Sequence, residues 1–257
     1  MKIYVCVKHV PDTAATIRIG TDDGIDENIT FIMNPYDENA VEEAVQLKKQ
    51  TIDADVIAVT LGKGTAEATL RSAMAMGADR AILVKSESSH DSISTARALC
   101  AAIQRDGDPD IVFTGKESID SEGFQTMFHL AGCLGVPVVS NAVNFSLTDT
   151  TVRVTCEMEA GDLEHIQMET PCVIGAGKDL NQPSYPKLPD ILKARKKPIA
   201  EIKLSDLGIA TPASRVEMVN IEPVKEKRQP ETIGGTANEI AETIIHVLRE
   251  KAKVLDG

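Results

Sequence analysis

The sequence predicts an α/β fold, a parallel sheet flanked by helices, and three observations carry that expectation. Short apolar runs rich in β-branched residues recur over 2–10, 55–61, 80–84, 110–114 and 136–140. Segments with helical spacing of apolar residues lie between most of them, and strands alternating with helices build parallel sheets covered on both faces. After residue 141 the alternation gives way to an antiparallel pattern, and after 180 to a proline-rich one. An added antiparallel hairpin and an extended C-terminal arm are therefore expected.

Residues 2–10 (KIYVCVKHV) form the first buried strand. Ile17-Arg18-Ile19, the acidic glycine turn Thr21-Asp22-Asp23-Gly24 and Ile25 read as a small surface hairpin. Asn34 then stands at a helix N-cap, Pro35 at the first helical position and Asp37 three residues after the cap, all of them start signals. Ala40, Val41, Ala44, Val45 and Leu47 supply that helix's core-facing stripe. A strand over 55–61 empties into the glycine loop 62–65, and a helix over 66–76 is closed by Gly77. Strand 80–84 leads to helix 92–105, and strand 110–114 leads through a polar loop to a helix over 125–134. After the strand at 136–140, segments 145–158 and 163–175 predict antiparallel strands around the turn Glu159-Ala160-Gly161-Asp162. Three prolines within 181–190 exclude a regular helix or a central strand there. A short basic helix over 191–197 is cut off by Pro198, and 199–236 carries few core signals. An amphipathic helix over 237–255 puts Ile240, Ile244, Ile245 and Leu248 on one face. The expected organisation is a domain over 1–180 and an arm over 181–257, which buries little by itself and needs a partner to lie on.

With 257 residues, 42% hydrophobic and 26% charged, the chain can fill one large α/β core. At a net charge of −12, Lys193-Ala194-Arg195-Lys196-Lys197 is the one basic cluster, which argues against nucleic acid and against an anionic membrane surface. No apolar run approaches the ~20 residues that span a bilayer, and the N-terminus lacks the long apolar segment of a secretion signal. A cytoplasmic protein without direct membrane insertion is expected. The cysteines, Cys6, Cys100, Cys133, Cys156 and Cys172, are odd in number and never in C-x-x-C spacing, as fits buried thiols in a reducing compartment. The five histidines show no ligand-like pairing, so no metal is expected.

In parallel sheets ligands bind beyond the carboxyl ends of the strands. Four loops lie at strand ends or helix starts: 8–12, 33–37, 61–65 and 115–125. The last is the most informative, running Gly115-Lys116-Glu117-Ser118-Ile119-Asp120-Ser121-Glu122-Gly123-Phe124-Gln125-Thr126. Small polar residues and glycines before a helix can turn backbone N–H groups outward to a phosphate. The same composition suits a plain connector, and Asp120 and Glu122 would have to point away from an anion. There is no Walker A loop and no G-x-G-x-x-G after a strand, so neither fingerprint applies. Asn34-Pro35-Tyr36-Asp37 is first a helix cap; it can also be a ligand-facing helix terminus with Tyr36 in the pocket wall. Lys8 and His9 are either a charge pair for a phosphate or solvated surface groups. No Ser-His-Asp order, no paired carboxylates and no H-E-x-x-H is present, so no catalytic residue is assigned. The residues alone support an adenine-nucleotide-binding, Rossmann-like module.

Longer segments add a resemblance. VCVKHVPDTA, MNPYDENAVEEAVQLK, VIAVTLG, TLRSAMAMGADRAILV, GKESIDSEGFQT and DLNQPSYPKLPDILKARKKPI resemble, in order and spacing, the β subunit of electron transfer flavoproteins over nearly the whole chain. The resemblance implies a heterodimer with an α subunit, sharing an FAD. It implies an electron carrier subunit rather than a classical enzyme. Electrons would pass from a flavin-dependent dehydrogenase, such as an acyl-CoA dehydrogenase, to an acceptor oxidoreductase. It also implies a second nucleotide in the β subunit: AMP, or in the electron-bifurcating branch a second FAD that takes electrons from NADH. By position that pocket would use Cys6, Asn34, Pro35, Tyr36, Asp37, Leu61 and the loop from Gly115 to Thr126, with Gln125 and Thr126 starting the helix under the phosphate. The family's docking loop falls on 186–197, with Leu188 as its exposed anchor, Pro189 and Ile191 beside it, and Lys193 and Lys196 as basic contacts. The chain departs from the family at Glu117, where Gln is usual, at the triplet Asp120-Ser121-Glu122, and at Met127, where Gly is usual. Val10-Pro11-Asp12-Thr13 and Asn34-Pro35-Tyr36-Asp37 look like the bifurcating branch, so the expectation leans to FAD in the β pocket. The alternative is a stand-alone adenine-nucleotide-binding module of the universal-stress type, which leaves the arm unexplained.

Overall fold

Tyr4, Val5 and their neighbours in Lys2–Cys6 (β1) are buried on both faces, which places β1 inside a sheet rather than at its edge. The computed structural model describes residues 1–20, 24–209, 216, 221–222, 232–251 and 253–254. The chain divides into two units, Met1–Val219 and Asn220–Gly257.

In the first unit β1 pairs in parallel with Asp55–Gly62 (β4) on one side and Ile111–Gly115 (β6) on the other, so that Val5 faces both Ala58 and Phe113. Arg80–Lys85 (β5) extends the β4 side, and Cys172–Ala176 (β10) the β6 side. Pro35–Gln50 (α1) and Glu67–Met76 (α2) cover the face carrying Ile3, Val5 and Phe113, with Leu70 of α2 in the same core cluster. Ser92–Asp106 (α3) and Thr126–Leu134 (α4) cover the other, which carries Tyr4 and Ile57, with Leu99 of α3 and Leu130 of α4 in the same core cluster. The chain steps outward from β1 to β4 to β5, then crosses back to β6. This reversal makes a crevice at the carboxyl ends of β1 and β6, where ligands bind in such sheets.

Several elements differ from the sequence expectation. The strand expected over 2–10 stops at Cys6; His9–Pro11 (β2) turns away to pair antiparallel with Phe31–Met33 (β3). The hairpin near residue 20 is a single Ile19–Ile25 bridge, with Thr21, Asp22 and Asp23 outside the described residues. Val138–Thr148 (β7), Thr151–Glu157 (β8) and Leu163–Glu169 (β9) form an antiparallel meander that continues the same sheet. The strand expected over 163–175 is therefore two, because Pro171 lacks a ladder donor and the fully buried β10 inserts between β6 and β7.

The helix expected over 191–197 is Leu188–Ala194 (α5), a start that uses Pro189 where its missing N–H does no harm. Ile199–Lys203 (β11) adds a parallel edge strand to β5, in register Ile199 to Ala81. Residues 181–203 thus belong to the first unit, while the sequence placed the boundary at 180. In the second unit Ala237–His246 (α6) starts at a capping box, with Thr236 and Glu239 bonding each other's backbone N–H. A π-turn over Val247–Lys251 ends it short of the expected helix end at 255, and Leu255 lies outside the described residues. Among the described residues no helix is long and apolar enough to cross a membrane.

Candidate functional site

α1 starts at the crevice, and one buried carboxylate ties its first turn to both flanking strands. Asp37 Oδ2 accepts the Lys8 N–H at 2.7 Å, and Oδ1 accepts the Gly115 N–H at 3.0 Å and Asn34 Nδ2 at 2.9 Å. Burial pushes the Asp37 carboxyl up to about 7, against the pull of those three donors. Asn34 occupies the N-cap position, but its side chain bonds no helix N–H. Its amide donates to Glu117 O at 2.8 Å and accepts the Ile119 N–H at 3.2 Å, so it fixes the loop after β6 instead of capping α1.

Beyond these ties lies a cavity of about 410 Å³. Cys6, Leu61, Leu99 and Met127 give it an apolar floor, and burial pushes the Cys6 thiol up, away from thiolate formation. Thr114 Oγ1, buried in the same region, has no hydrogen-bond partner among the described residues. Most of the loop residues singled out from sequence line the cavity, from Gly115 to Ser118, then Asp120, Ser121 and Gly123 to Thr126. Pro35, Tyr36, Ile119 and Glu122 do not line it. Tyr36 instead lies under Lys116, whose Nζ sits 5.3 Å from the ring centroid. Lys8 lines the cavity; His9 points elsewhere, stacked on Phe31 and bonded to Thr69 Oγ1.

The backbone before α4 has an unusual shape. Glu122 and Phe124 adopt left-handed φ values of 45° and 49°, uncommon for residues with side chains and costly by roughly 1–3 kcal/mol each. Left-handed residues alternating with others are the backbone pattern from which anion-binding concavities are built. The N–H groups of Gly123, Phe124, Gln125, Thr126 and Met127 bond no other described residue. The five residues line the cavity at the N-terminus of α4, the positive end of a helix. The cationic side chains nearby are already matched: Lys8 to Asp120 at 2.7 Å, Lys63 to Glu27 at 2.6 Å and Lys116 to Glu117 at 3.6 Å.

One wall was not foreseen. Ser86, Glu87, Ser88, Ser89, His90 and Ser92 follow β5 and line the cavity as well. Ser86 Oγ and His90 Nε2 lie 2.7 Å apart. A polar, serine-rich segment after a buried strand was the available signal, since it ends at the same sheet edge as the loops already singled out. Away from the cavity, the docking residues expected at 186–197 form an exposed elbow. Leu188 is 68% exposed and opens α5 with Pro189; Ile191, Lys193 and Lys196 follow on the same short helix and its exit. Among the described residues no cluster of side chains could hold a metal, and all five cysteines are free.

Comparison with known proteins agrees with this arrangement. The electron transfer flavoprotein domain matches residues 24–207. The chain is 34% identical over 258 residues to the electron transfer flavoprotein subunit beta of Dictyostelium discoideum. It is 34% identical over 261 residues to that of Bacillus subtilis (strain 168), and 36% over 260 residues to that of Sus scrofa. Each match covers 99% of this chain and at least 99% of the relative.

Proposed function

Because the chain belongs to the electron transfer flavoprotein family, among its β subunits, we propose that it pairs with an α subunit as half of a heterodimeric electron carrier. Its cavity then holds an adenine nucleotide, either AMP or the AMP half of a second FAD. The observation that carries the nucleotide reading is the row of N–H groups from Gly123 to Met127, unbonded to other described residues, on the wall of a 410 Å³ cavity. That volume lies within the ~300–1,000 Å³ usual for small-ligand sites. The amides at the start of α4 meet the phosphate, and Cys6, Leu61 and Leu99 offer the apolar surface a base needs. Asp37 and Asn34 hold the two sides of the cavity together without touching the phosphate.

The FAD reading is favoured by Val10-Pro11-Asp12-Thr13 and Asn34-Pro35-Tyr36-Asp37, and it makes NADH an electron donor and bifurcation the overall reaction. A flavin in the complex supplies one- and two-electron chemistry; the chain's residues position it and exclude water. Leu188, on the exposed elbow, contacts the partner dehydrogenase, of the acyl-CoA dehydrogenase kind, with Lys193 and Lys196 facing acidic groups on it. Five free thiols favour a cytoplasmic location.

The test is nucleotide content. The chain is co-expressed with its α subunit, the complex is denatured, and released FAD and AMP are counted per heterodimer. Two FAD and no AMP support the bifurcating reading; one of each makes the cavity structural. One FAD and no second nucleotide would overturn the nucleotide assignment. Leu188→Ala is expected to leave flavin content intact and slow electron transfer from the dehydrogenase; unchanged transfer kinetics would remove the docking assignment.

A further inference from the structure

The docking elbow is clamped at both ends by helices that take no part in the exposed surface. At its start, Asn39 Nδ2 donates to Asn181 O at 2.8 Å, and Asn181 Nδ2 returns a bond to Asn39 O at 3.0 Å and another to Glu43 Oε2 at 2.8 Å. The Glu42 carboxylate, 2% exposed, accepts the Ser184 N–H at 3.0 Å and Gln46 Nε2 at 2.7 Å. At its end, Arg71 Nη1 donates to Ala194 O at 2.9 Å and Lys197 O at 2.6 Å, while Glu67 Oε1 holds the same guanidinium at 2.9 Å. Lys197 Nζ donates in turn to Ala78 O at 2.6 Å and Met74 O at 3.2 Å, closing the end of α2. Between the clamps Tyr185 is 96% exposed and Leu188 68% exposed.

An exposed surface of this kind does not hold its shape unaided. α5 has seven residues, far below the ~12–15 at which an isolated helix becomes even marginally stable in water. Its last carbonyls have no partner inside the helix, and Arg71 takes one of them. The proline-rich approach forms no regular ladder, so Asn39 and Glu42 supply its bonds. We propose that Asn39, Glu42 and Arg71 are positioning residues of the docking surface: from α1 and α2 they order the backbone that carries Leu188 before the partner arrives. Binding then pays no ordering entropy for that backbone. The inference rests on the docking reading of Leu188 given above.

The test uses the heterodimer with an acyl-CoA dehydrogenase reduced by its acyl-CoA substrate, and measures the KM for the carrier and kcat. Freeing about one backbone residue at the elbow raises that KM by roughly five- to thirty-fold, so Arg71→Ala is expected to raise KM in this range with kcat and FAD content unchanged. Trypsin is expected to cut faster at Lys187, Lys193 and Arg195. Arg71→Lys should recover part of the loss. In the double variant with Leu188→Ala, the Arg71→Ala effect on KM should largely vanish, because positioning acts only through the contact. Asn181→Ala gives an independent reading from the other clamp if Arg71→Ala yields no folded complex. If Leu188→Ala raises KM while both clamp variants stay within two-fold of wild type, the inference fails and the docking reading stands. If Leu188→Ala has no effect, the docking reading fails and takes the inference with it. A fall in FAD content, or in kcat with KM unchanged, would show a merely structural role and also overturn the inference.

Discussion

Gly115 is where β6, α1 and the cavity meet, and a single added methyl tests whether that junction is as tight as its contacts imply. A Cβ at Gly115 would meet Asp37 Oδ1 inside contact distance, Tyr36 Cβ at 2.7 Å and Asn34 Nδ2 at 3.1 Å. A flexible side chain could swing aside, but Tyr36 Cβ is fixed to the first turn of α1. The helix must therefore move away from β6. Overpacking of this kind costs about 1–3 kcal/mol. Separation also lengthens the Gly115 N–H bond to the buried Asp37 carboxylate, and losing a bond to a charged group costs about 1.5–3 kcal/mol. Gly115→Ala should thus destabilise by about 2.5–6 kcal/mol, a large share of the ~5–15 kcal/mol typical of a domain. At about 2–4 °C per kcal/mol for a domain of this size, the melting temperature should fall by at least ~5 °C. Gly132→Ala is the control: it lies inside α4 with nothing within 4 Å, and should stabilise by about 1 kcal/mol. Thermal unfolding of the purified heterodimer, with nucleotide content measured on the same samples, decides the matter. A Gly115→Ala complex that melts within ~2 °C of wild type and keeps its full nucleotide content would refute the tie between α1 and β6.

Three further predictions concern single groups. Burial raises the Asp37 carboxyl from 3.8 to about 7, so the fold favours its protonated form. Its contribution to stability is complete below pH 3.8, declines as pH rises through about 7 and is constant above. Asp37→Asn removes the titration, so the stability gap between the two proteins in denaturant should change by up to ~4 kcal/mol over that window; parallel pH profiles would contradict it. Of the five thiols only Cys133 is exposed, so a maleimide should label one cysteine quickly and Cys133→Ser should abolish that phase; a second fast thiol would argue against the packing of Cys6, Cys100, Cys156 or Cys172. Thr236→Ala removes half of the α6 capping box, at about 1 kcal/mol, and amide exchange over Ala237–His246 should speed up accordingly.

The parallel half of the fold was legible because strands buried on both faces are continuous apolar runs, as Val56 to Val59 are. The stripe of α1 was legible for the same reason, and Ala40, Val41, Ala44, Val45 and Leu47 are all buried. What was not legible depends on partners far away in sequence. Ile199–Lys203 alternates weakly and shows no core signal of its own; it is a strand because β5 offers an open edge some 115 residues earlier. Asn34 looks like a cap from its neighbours alone, yet its amide is claimed by Glu117 O, 83 residues on. The run 163–175 looks like one strand because hydropathy does not mark where a chain leaves one neighbour for another. The wall at Ser86 to Ser92 lies beyond the carboxyl end of β5, and taken locally its serines suit an ordinary connector between strand and helix.

The acidity of the cavity loop, awkward for an anion site on paper, resolves once its charges are paired. Asp120 is turned onto Lys8 Nζ, which also bonds Ser118 Oγ at 3.1 Å, so this acid shapes the loop rather than facing the cavity with a free charge. Glu117 pairs with Lys116, and Lys116 rests over Tyr36. Glu122 lies off the cavity lining altogether. Each acid of the loop is thus either matched to a lysine or outside the wall, and each nearby lysine is spent in the matching. Gly123 to Met127 line the cavity at the N-terminus of α4 with N–H groups that bond no other described residue, and Glu87, after β5, is a lining acid outside this loop. A chain of net charge −12 can hold a phosphate this way because backbone amides bind an anion whatever the protein's overall charge. The acidic residues of the loop therefore serve to brace it, and leave the backbone groups that would meet a phosphate unchanged.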